Sequence, residues 1–413
     1  MKTILPKIHR RFRSLSWFNS GVVLAAGFGL TASIYFLSPS FSSVSYEADV
    51  AAAPVVPKIK HIPTPEPLKA IYMTECVVGT PSLREGLVKL VEETELNAIV
   101  IDVKDYSGTI GFPTESPALK AATLKNCGAP DMKEFLETLE AKGIYRIARI
   151  TVFQDPFYTA LHPELAVHKK SASTTPWKDY KGLSFIDVSA KPYWDYIIEL
   201  SKETYNIGFD EINFDYIRFP SDGNMADTHY SWSGNRPKAE ALEDFFSYLY
   251  SELAPTGVKM SADLFGMTTT NTDDLNIGQV LERALPYFDY ISPMVYPSHY
   301  PRGFNGWQNP NNYPYEVIHY SMSRAVERTI ATTTPVKTNS GLLYSTTTKP
   351  FLYTKNYHSA LKLRPWIQDF DYGGNYDVAE VKAQIQATYD SGLTSWMLWS
   401  PSNKYTKGAL LPE

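Results

Sequence analysis

The feature that most constrains this chain is a regular alternation of short apolar runs with amphipathic segments after residue 69. The runs have the length and composition of buried strands, and the intervening segments repeat apolar residues at helical spacing. We predict strands at 70–74, 98–103, 146–153, 211–217, 259–265, 290–296, 365–370 and 395–400. We predict helices at 82–94, 132–142, 191–206, 239–253, 277–285, 315–330 and 378–390. This alternation predicts an α/β fold, a (β/α)8 TIM barrel.

An open doubly wound sheet is the alternative fold for the same alternation. In that fold a glycine-rich, phosphate-binding turn follows the first strand. No such turn follows the strand at 70–74. The barrel is therefore the preferred prediction.

The first 37 residues have the pattern of an export signal. Basic residues precede an uncharged apolar run at 17–37, which has about the 20 residues that a membrane helix needs. Positive charge before the run predicts a cytoplasmic N-terminus and an extracytoplasmic remainder. A cleaved signal peptide is the competing interpretation. We divide the chain into a basic stub and membrane helix at 1–37, a Pro-, Ser- and Ala-rich linker at 38–68, and the barrel at 69–413.

Composition narrows the class of ligand. The chain has 413 residues and a net charge of −5, so no basic excess indicates nucleic acid. Aromatic residues make up 14% of the chain, which suits a cleft for sugar rings but equally suits core packing. Cys76 and Cys127 are compatible with one disulfide in an exported protein or with two free thiols.

The fourth predicted strand carries the most informative polar residues. Asn213 and Asp215 are two positions apart, so both side chains point to the same face, opposite Ile212 and Phe214. A buried carboxylate near the C-terminal end of a strand is costly without a purpose, and in a barrel that end forms the active site. This pattern predicts an enzyme.

Glycoside hydrolysis uses two carboxyl groups, one that protonates the leaving oxygen and one that attacks the sugar or activates water. We predict Asp215 as nucleophile or base and Asp263, on the neighbouring strand, as acid. The alternative for Asp215 is a structural ion pair with Arg218 or Arg149. For Asp263 a structural role is also open.

Other polar and aromatic residues cluster at the predicted strand ends. Amides, cations and aromatic rings are the groups that bind sugar hydroxyls and ring faces. Asp102 and Lys104 share a predicted strand face and so could simply neutralise each other. Trp366 and Trp399 could be core residues. The predicted substrate-binding residues are Asp102, Lys104, Arg149, Asn213, Arg218, Tyr296, His299, Trp366, Gln368 and Trp399.

Metal and cofactor motifs are absent from the sequence. It contains no H-E-x-x-H pair, no metal-type cysteine spacing and no G-x-S-x-G nucleophile turn. We therefore predict no metal and no cofactor. A metal-assisted polysaccharide deacetylase is the least favoured alternative.

Four long blocks carry a resemblance to a known family. They are residues 95–105, 143–156, 208–220 and 289–299, and the pieces 363–369 and 398–403 match as well. The chain resembles a bacterial family of uncharacterised glycoside hydrolase barrels, over residues 70 to 410. The resemblance implies a TIM barrel and hydrolysis of a carbohydrate.

The family is in turn distantly similar to α-galactosidase-type and family-18 chitinase-type barrels. The chitinase pattern D-G-x-D-x-D-x-E corresponds here to Asp210, Asn213, Asp215 and Ile217. Because Ile217 replaces the terminal glutamate, the chitinase mechanism does not transfer, and Asp215 is the best candidate on this strand.

Two hypotheses follow. The first is an exported, membrane-anchored or secreted glycoside hydrolase that cleaves a cell-envelope or extracellular polysaccharide. The second is a surface-tethered barrel that binds carbohydrate without cleaving it. A second carboxyl group within about 10 Å of Asp215 would favour the first, because the two-carboxylate mechanism needs that spacing.

Overall fold

A computed structural model describes residues 59–335 and 352–413. The predicted stub, the membrane helix and most of the linker lie outside these ranges. No helix within them is long and apolar enough to span a membrane.

Eight parallel strands close into a barrel in sequence order, which confirms the predicted barrel. They are β1 (Lys69–Met73), β2 (Ala98–Lys104), β3 (Tyr145–Thr151), β4 (Glu211–Asp215), β5 (Lys259–Phe265), β6 (Tyr290–Met294), β7 (Trp366–Gln368) and β8 (Trp396–Trp399). Alternate side chains of these strands point into the barrel, where Tyr72, Val100, Ile147, Trp366 and Met397 pack together.

Helices cover the outside of the barrel and bury their apolar faces against the outward side chains of the strands. They are α1 (Glu75–Val78), α2 (Pro81–Glu92), α3 (Met132–Ala141), α4 (Pro156–Leu161), α5 (Lys191–Ile207), α6 (Lys238–Leu253), α7 (Leu281–Ala284), α8 (Pro314–Ile330) and α9 (Val378–Asp390). Short 3-10 turns lie at Lys120–Ala122, Pro163–Leu165, Met225–Asp227, Ala254–Thr256, Gly266–Thr269, Pro297–His299, Phe304–Gly306, Pro310–Asn312, Ala360–Lys362 and Lys407–Ala409.

Two small sheets decorate the barrel. His168–Lys169 pairs with Ala172–Pro176 and Thr228–His229 in a three-stranded antiparallel sheet. Thr333–Pro335 pairs with Leu352–Thr354 in a two-stranded one. The first sheet joins the loop after β3 to the loop after β4, on the side where the strands end.

The segment 59–68 belongs to the folded unit, so the predicted boundary at Lys69 is too late. It crosses the N-terminal ends of the strands and forms hydrogen bonds there. The backbone N–H of Ile62 donates to Asp210, the carbonyl of Lys60 accepts from Arg146, and the N–H of Leu68 donates to Ser395. These residues therefore close the bottom of the barrel.

Cys76 and Cys127 form a disulfide, with their Cα atoms 4.8 Å apart. It joins α1 to the long loop after β2. Beside it the two backbones touch, because a Cβ atom on Gly79 would lie 2.2 Å from the carbonyl oxygen of Gly128. Glycine is required at position 79 for this close approach.

Candidate active site

The guanidinium of Arg149 lies at the centre of the C-terminal end of the barrel. Its Nη1 donates to Asp102 at 2.5 Å, and its Nη2 donates to Asp215. Its Nε lies 3.8 Å from Asp263. Strand register explains the arrangement, since Arg149 pairs with Asp102 on one side and with Asn213 on the other. One buried cation thus contacts carboxylates from β2, β4 and β5.

Asp215 ends β4 and faces the cleft. Its Oδ1 accepts a hydrogen bond at 2.5 Å from the backbone N–H of Tyr216. Tyr216 has φ 51°, in the left-handed region that residues other than glycine rarely adopt. Backbone strain of this kind costs about 1–3 kcal/mol and concentrates at functional sites. The local structure therefore holds the Asp215 carboxylate in one orientation.

Asp263 does not reach the surface of the cleft. It is 1% exposed, and its Oδ1 accepts hydrogen bonds of 2.8 Å from Asn213 and from the indole of Trp366. Burial raises its pKa well above the usual value, and the neighbouring charge of Asp215 raises it further. Asp263 does not border any of the three cavities described below, so its role as the acid stays a prediction.

Asp102, predicted as a substrate-binding residue, is a second carboxylate at the cleft. It lines the cleft beside Arg149, and the hydroxyl of Tyr72 donates to it. Burial raises its pKa, while Arg149 lowers it. The two cleft-lining carboxylates on one guanidinium are Asp102 and Asp215.

Four predicted substrate-binding residues do not line the cleft. Lys104 is fully buried and pairs with Asp155 at 2.9 Å, because the register of β2 shifts between Asp102 and Lys104. The alternative in which Lys104 neutralises Asp102 therefore does not hold, because each is paired with another residue. Gln368 is fully buried, and its side chain accepts from the N–H of Ser298. Trp366 is a core residue whose indole N–H donates to Asp263, and the side-chain amide of Asn213 donates to the same carboxylate.

The remaining predicted residues line an open cleft. It consists of cavities of about 600, 390 and 790 Å³ that all border Trp399. Arg149 and Arg218 border the first two cavities, Tyr296 borders the second, and His299 the second and third. Burial raises the pKa of Tyr296 and lowers that of His299, so both rings are neutral hydrogen-bonding groups near pH 7.

Tyr72 and Tyr216 are among the site residues that were not predicted. Tyr72 stacks on Trp399, with ring centroids 4.0 Å apart, and Tyr216 borders two cavities. Inward alternation along β1 could have identified Tyr72. The conformation of Tyr216 has no signal in the sequence. Within the described ranges, no group of three metal-binding side chains is assembled.

A closed parallel barrel with carboxylates and aromatic rings at the C-terminal ends of its strands defines the class of a TIM-barrel protein with a glycosidase-like cleft. Residues 70–405 match the family described as "Putative glycosyl hydrolase domain". The chain belongs to this family, which confirms the resemblance identified in the sequence. The family match supports a glycoside hydrolase-like function.

Several solved structures are similar to this chain. A hypothetical protein from Ruminiclostridium thermocellum is 34% identical over 47% of this chain and 96% of its own, with a TM-score of 0.42. The PgaB (BpsB) glycoside hydrolase domain from Bordetella bronchiseptica is 11% identical over 84% of this chain and 99% of its own, with a TM-score of 0.54.

Alpha-L-fucosidase isoenzyme 2 from Paenibacillus thiaminolyticus is 10% identical over 84% of this chain and 47% of its own, with a TM-score of 0.54. At 10–11% identity the likeness to these two enzymes shows the fold alone. No curated protein matches the chain.

Proposed function

We propose that this protein is an exported glycoside hydrolase that cleaves a cell-envelope or extracellular polysaccharide with Asp215 and Asp102. The observation that carries the proposal is the placement of both carboxylates on adjacent nitrogens of Arg149, at the floor of an open cleft. Asp215 is the nucleophile, because it borders the second cavity and Arg149 and the N–H of Tyr216 hold its carboxylate in one orientation. Asp102 is the acid, because burial favours its protonated form.

A retaining mechanism is compatible with this spacing. Two carboxylates on one guanidinium are close together, as in retaining enzymes at about 5–5.5 Å rather than inverting ones at about 6.5–9.5 Å. Asp102 gives its proton to the glycosidic oxygen, the bond from that oxygen to the anomeric carbon breaks, and Asp215 bonds to the anomeric carbon as the other part of the glycan leaves. Asp102 then takes a proton from water, whose oxygen displaces Asp215. The sugar is released with its original configuration.

A polymeric substrate is supported by the shape and rim of the cleft. Exposed tyrosines lie at two separate cavities, with Tyr106 58% exposed at the first and Tyr372 64% exposed at the third. Trp399 lies between them at the junction. Aromatic rings spaced along a cleft suit several consecutive sugar units.

Export is supported by the chemistry of the cysteines. The disulfide between Cys76 and Cys127 suits an oxidising compartment outside the cytoplasm. The basic segment and apolar run before residue 38 supply the corresponding signal. Fractionation of cells, with protease added from outside, tests the location.

The decisive experiment is a reducing-end assay of the full chain, purified in mild detergent, against a panel of bacterial cell-wall, capsule and extracellular glycans. Asp215→Asn and Asp102→Asn should each lose about 100- to 10,000-fold in rate, the range expected for a lost catalytic acid or base. Asp244→Asn, at an exposed ion pair on α6, is the matched control and should keep full activity. Full activity of Asp215→Asn would overturn the assignment.

A non-catalytic carbohydrate-binding barrel is the second candidate. The observation that favours it is Arg149 itself, which already forms an ion pair with each of the two carboxylates. Against it, Asp215 has two further carboxyl groups in contact with the same guanidinium, which meets the spacing expected of an enzyme. Retention of one glycan without release of reducing ends, by the native protein and by Asp215→Asn, would establish this second function.

A further inference from the structure

Arg218 is a buried cation at the cleft that the proposed catalysis does not use. It follows β4 and is 9% exposed. Its Nη1 donates to the carbonyl of Phe219 and to the hydroxyl of Ser221, both at 3.1 Å. These contacts hold one edge of the guanidinium against the protein.

Two aromatic rings fix the position of this side chain. The guanidinium carbon lies 4.9 Å from the ring centre of Tyr216 and 4.8 Å from that of Phe265. Cation–π contacts of this kind stabilise a guanidinium without neutralising its charge. The group is therefore held in place as a charged surface of the cleft.

No carboxylate of the described residues lies within 4.0 Å of Arg218. The nearest carboxylate along β4, Asp215, is bound by Arg149 instead. Asp222 contributes only a long-range attraction from an exposed position, where solvent screens it. Burial lowers the pKa of Arg218, although Tyr216 and the more distant charge of Asp215 oppose this effect. A buried charge without a counterion is costly, and a bound anion would remove that cost.

The position of Arg218 indicates which part of a ligand supplies the anion. Arg218 borders both the 600 Å³ and the 390 Å³ cavities, and so does Arg149. Asp215 borders the second of these. A sugar unit that contacts Arg218 from the second cavity therefore lies in the same cavity as Asp215.

We infer that Arg218 binds a sugar carboxylate, so that the cleft selects an acidic polysaccharide with the charged unit next to the cleaved bond. A guanidinium presents parallel N–H donors that match a planar carboxylate. This inference rests on the proposed function in one respect, namely that the ligand is a glycan. The carboxylate can belong to a hexuronic acid or to a lactyl ether on an amino sugar.

The test compares matched ligands on the unaltered full chain. One pair is a hexuronic-acid oligosaccharide and its carboxyl-reduced form, and the other is a lactyl-ether cell-wall oligosaccharide and its carboxyl-reduced form. Titration calorimetry should show at least about tenfold tighter binding of the acidic member in one pair, the size of one charged hydrogen-bonded contact. Equal binding within both pairs would overturn the inference.

Variants then assign the preference to Arg218. Arg218→Gln should bind the acidic and reduced members equally, and Arg218→Lys should keep a reduced preference because it retains charge without the fork. Arg324→Gln, an exposed arginine on α8, is the matched control and should bind as the native protein does. A full preference in Arg218→Gln would overturn the assignment to this residue.

The outcomes separate this inference from the proposed function. Preference for acidic ligands without release of reducing ends would support Arg218 and contradict hydrolysis. Cleavage of neutral glycans with no preference within either pair would support hydrolysis and contradict the carboxylate site. Thermal unfolding of each variant shows whether a loss of binding comes from loss of the fold.

Discussion

The guanidinium of Arg149 is shared by aspartates from three strands, so its removal would leave several acidic groups without a counterion. Burial raises the pKa of Asp102 and of Asp263, and Arg149 opposes that rise at both. The charge state of the cleft floor therefore depends on one side chain.

Arg149→Met should destabilise the protein by about 3–5 kcal/mol at pH 7, the cost of breaking a buried pair. Without Arg149 the pKa of Asp102 in the folded protein rises further. A carboxyl group whose pKa is higher in the folded than in the unfolded state makes the protein less stable as the pH increases above about 4. The loss should therefore be smaller at pH 4 than at pH 7. Urea denaturation measures it, with Arg324→Met as the exposed control. An equal loss at both pH values would contradict the explanation.

A second residue-scale prediction concerns Glu75, a buried carboxyl group beside Asp105 and Asp102. Burial, reinforced by these aspartates, raises the pKa of Glu75 to about 10. The folded state keeps a proton that the unfolded state releases above about pH 4.3. Stability therefore falls with rising pH between that value and about 10, by up to about 1.4 kcal/mol for each pH unit.

Glu75→Gln should remove this pH dependence. The free energy of unfolding of the variant minus that of the native protein should therefore be larger at pH 8 than at pH 5. Urea denaturation at the two pH values measures the difference. Glu85→Gln, at an exposed position on α2, should leave the slope of the native protein unchanged. A native slope in Glu75→Gln would show that Glu75 is not the responsible group.

The sequence predicts which residues gather at the strand ends but not which of them pair. Alternation identified Asn213 and Asp215 as inward-facing, as the structure shows. It also assigned Lys104 to the face of Asp102, and the register shift in β2 turns Lys104 away. How deeply Asp263 is buried below the cleft depends on how far the neighbouring strands extend toward it. The sequence of one strand does not predict this.

At the scale of elements, strand and helix periods suffice for most boundaries. The predicted strand at 259–265 and helix at 378–390 coincide with β5 and α9. The exception is the predicted helix at 277–285, of which Leu281–Ala284 is helical. Leu275 and Asn276, just before the predicted start, have positive φ, which a right-handed helix does not allow. The chain therefore turns there, and the helix begins later than the apolar spacing predicts.

The link between α1 and the loop after β2 gives an element-scale prediction. Cys76 and Cys127 are 51 positions apart, so their disulfide restricts a long loop in the unfolded chain. Replacing both with serine should cost about 2–4 kcal/mol of stability. Thermal unfolding with and without reductant measures the effect. Reductant should destabilise the native protein and leave the double variant unchanged, and an unchanged native protein would contradict the prediction.

At the scale of the whole molecule, residues 59–68 determine where the folded unit begins. They satisfy the buried ion pair of Arg146 and Asp210 at the bottom of the barrel. Each buried polar group left unpaired costs about 1–3 kcal/mol. A protein that starts at Lys69 should therefore unfold at a lower temperature than one that starts at Ile59. Identical unfolding temperatures would show that the segment contributes no stability.

The path of residues 59–68 also has a practical consequence. The chain enters at the N-terminal ends of the strands, whereas the cleft opens at their C-terminal ends. A tag, bead or sensor surface attached just before Ile59 would be joined to the face remote from the cleft. Immobilisation through that end would leave the approach of a long glycan unobstructed, while attachment through a loop after a barrel strand would crowd it.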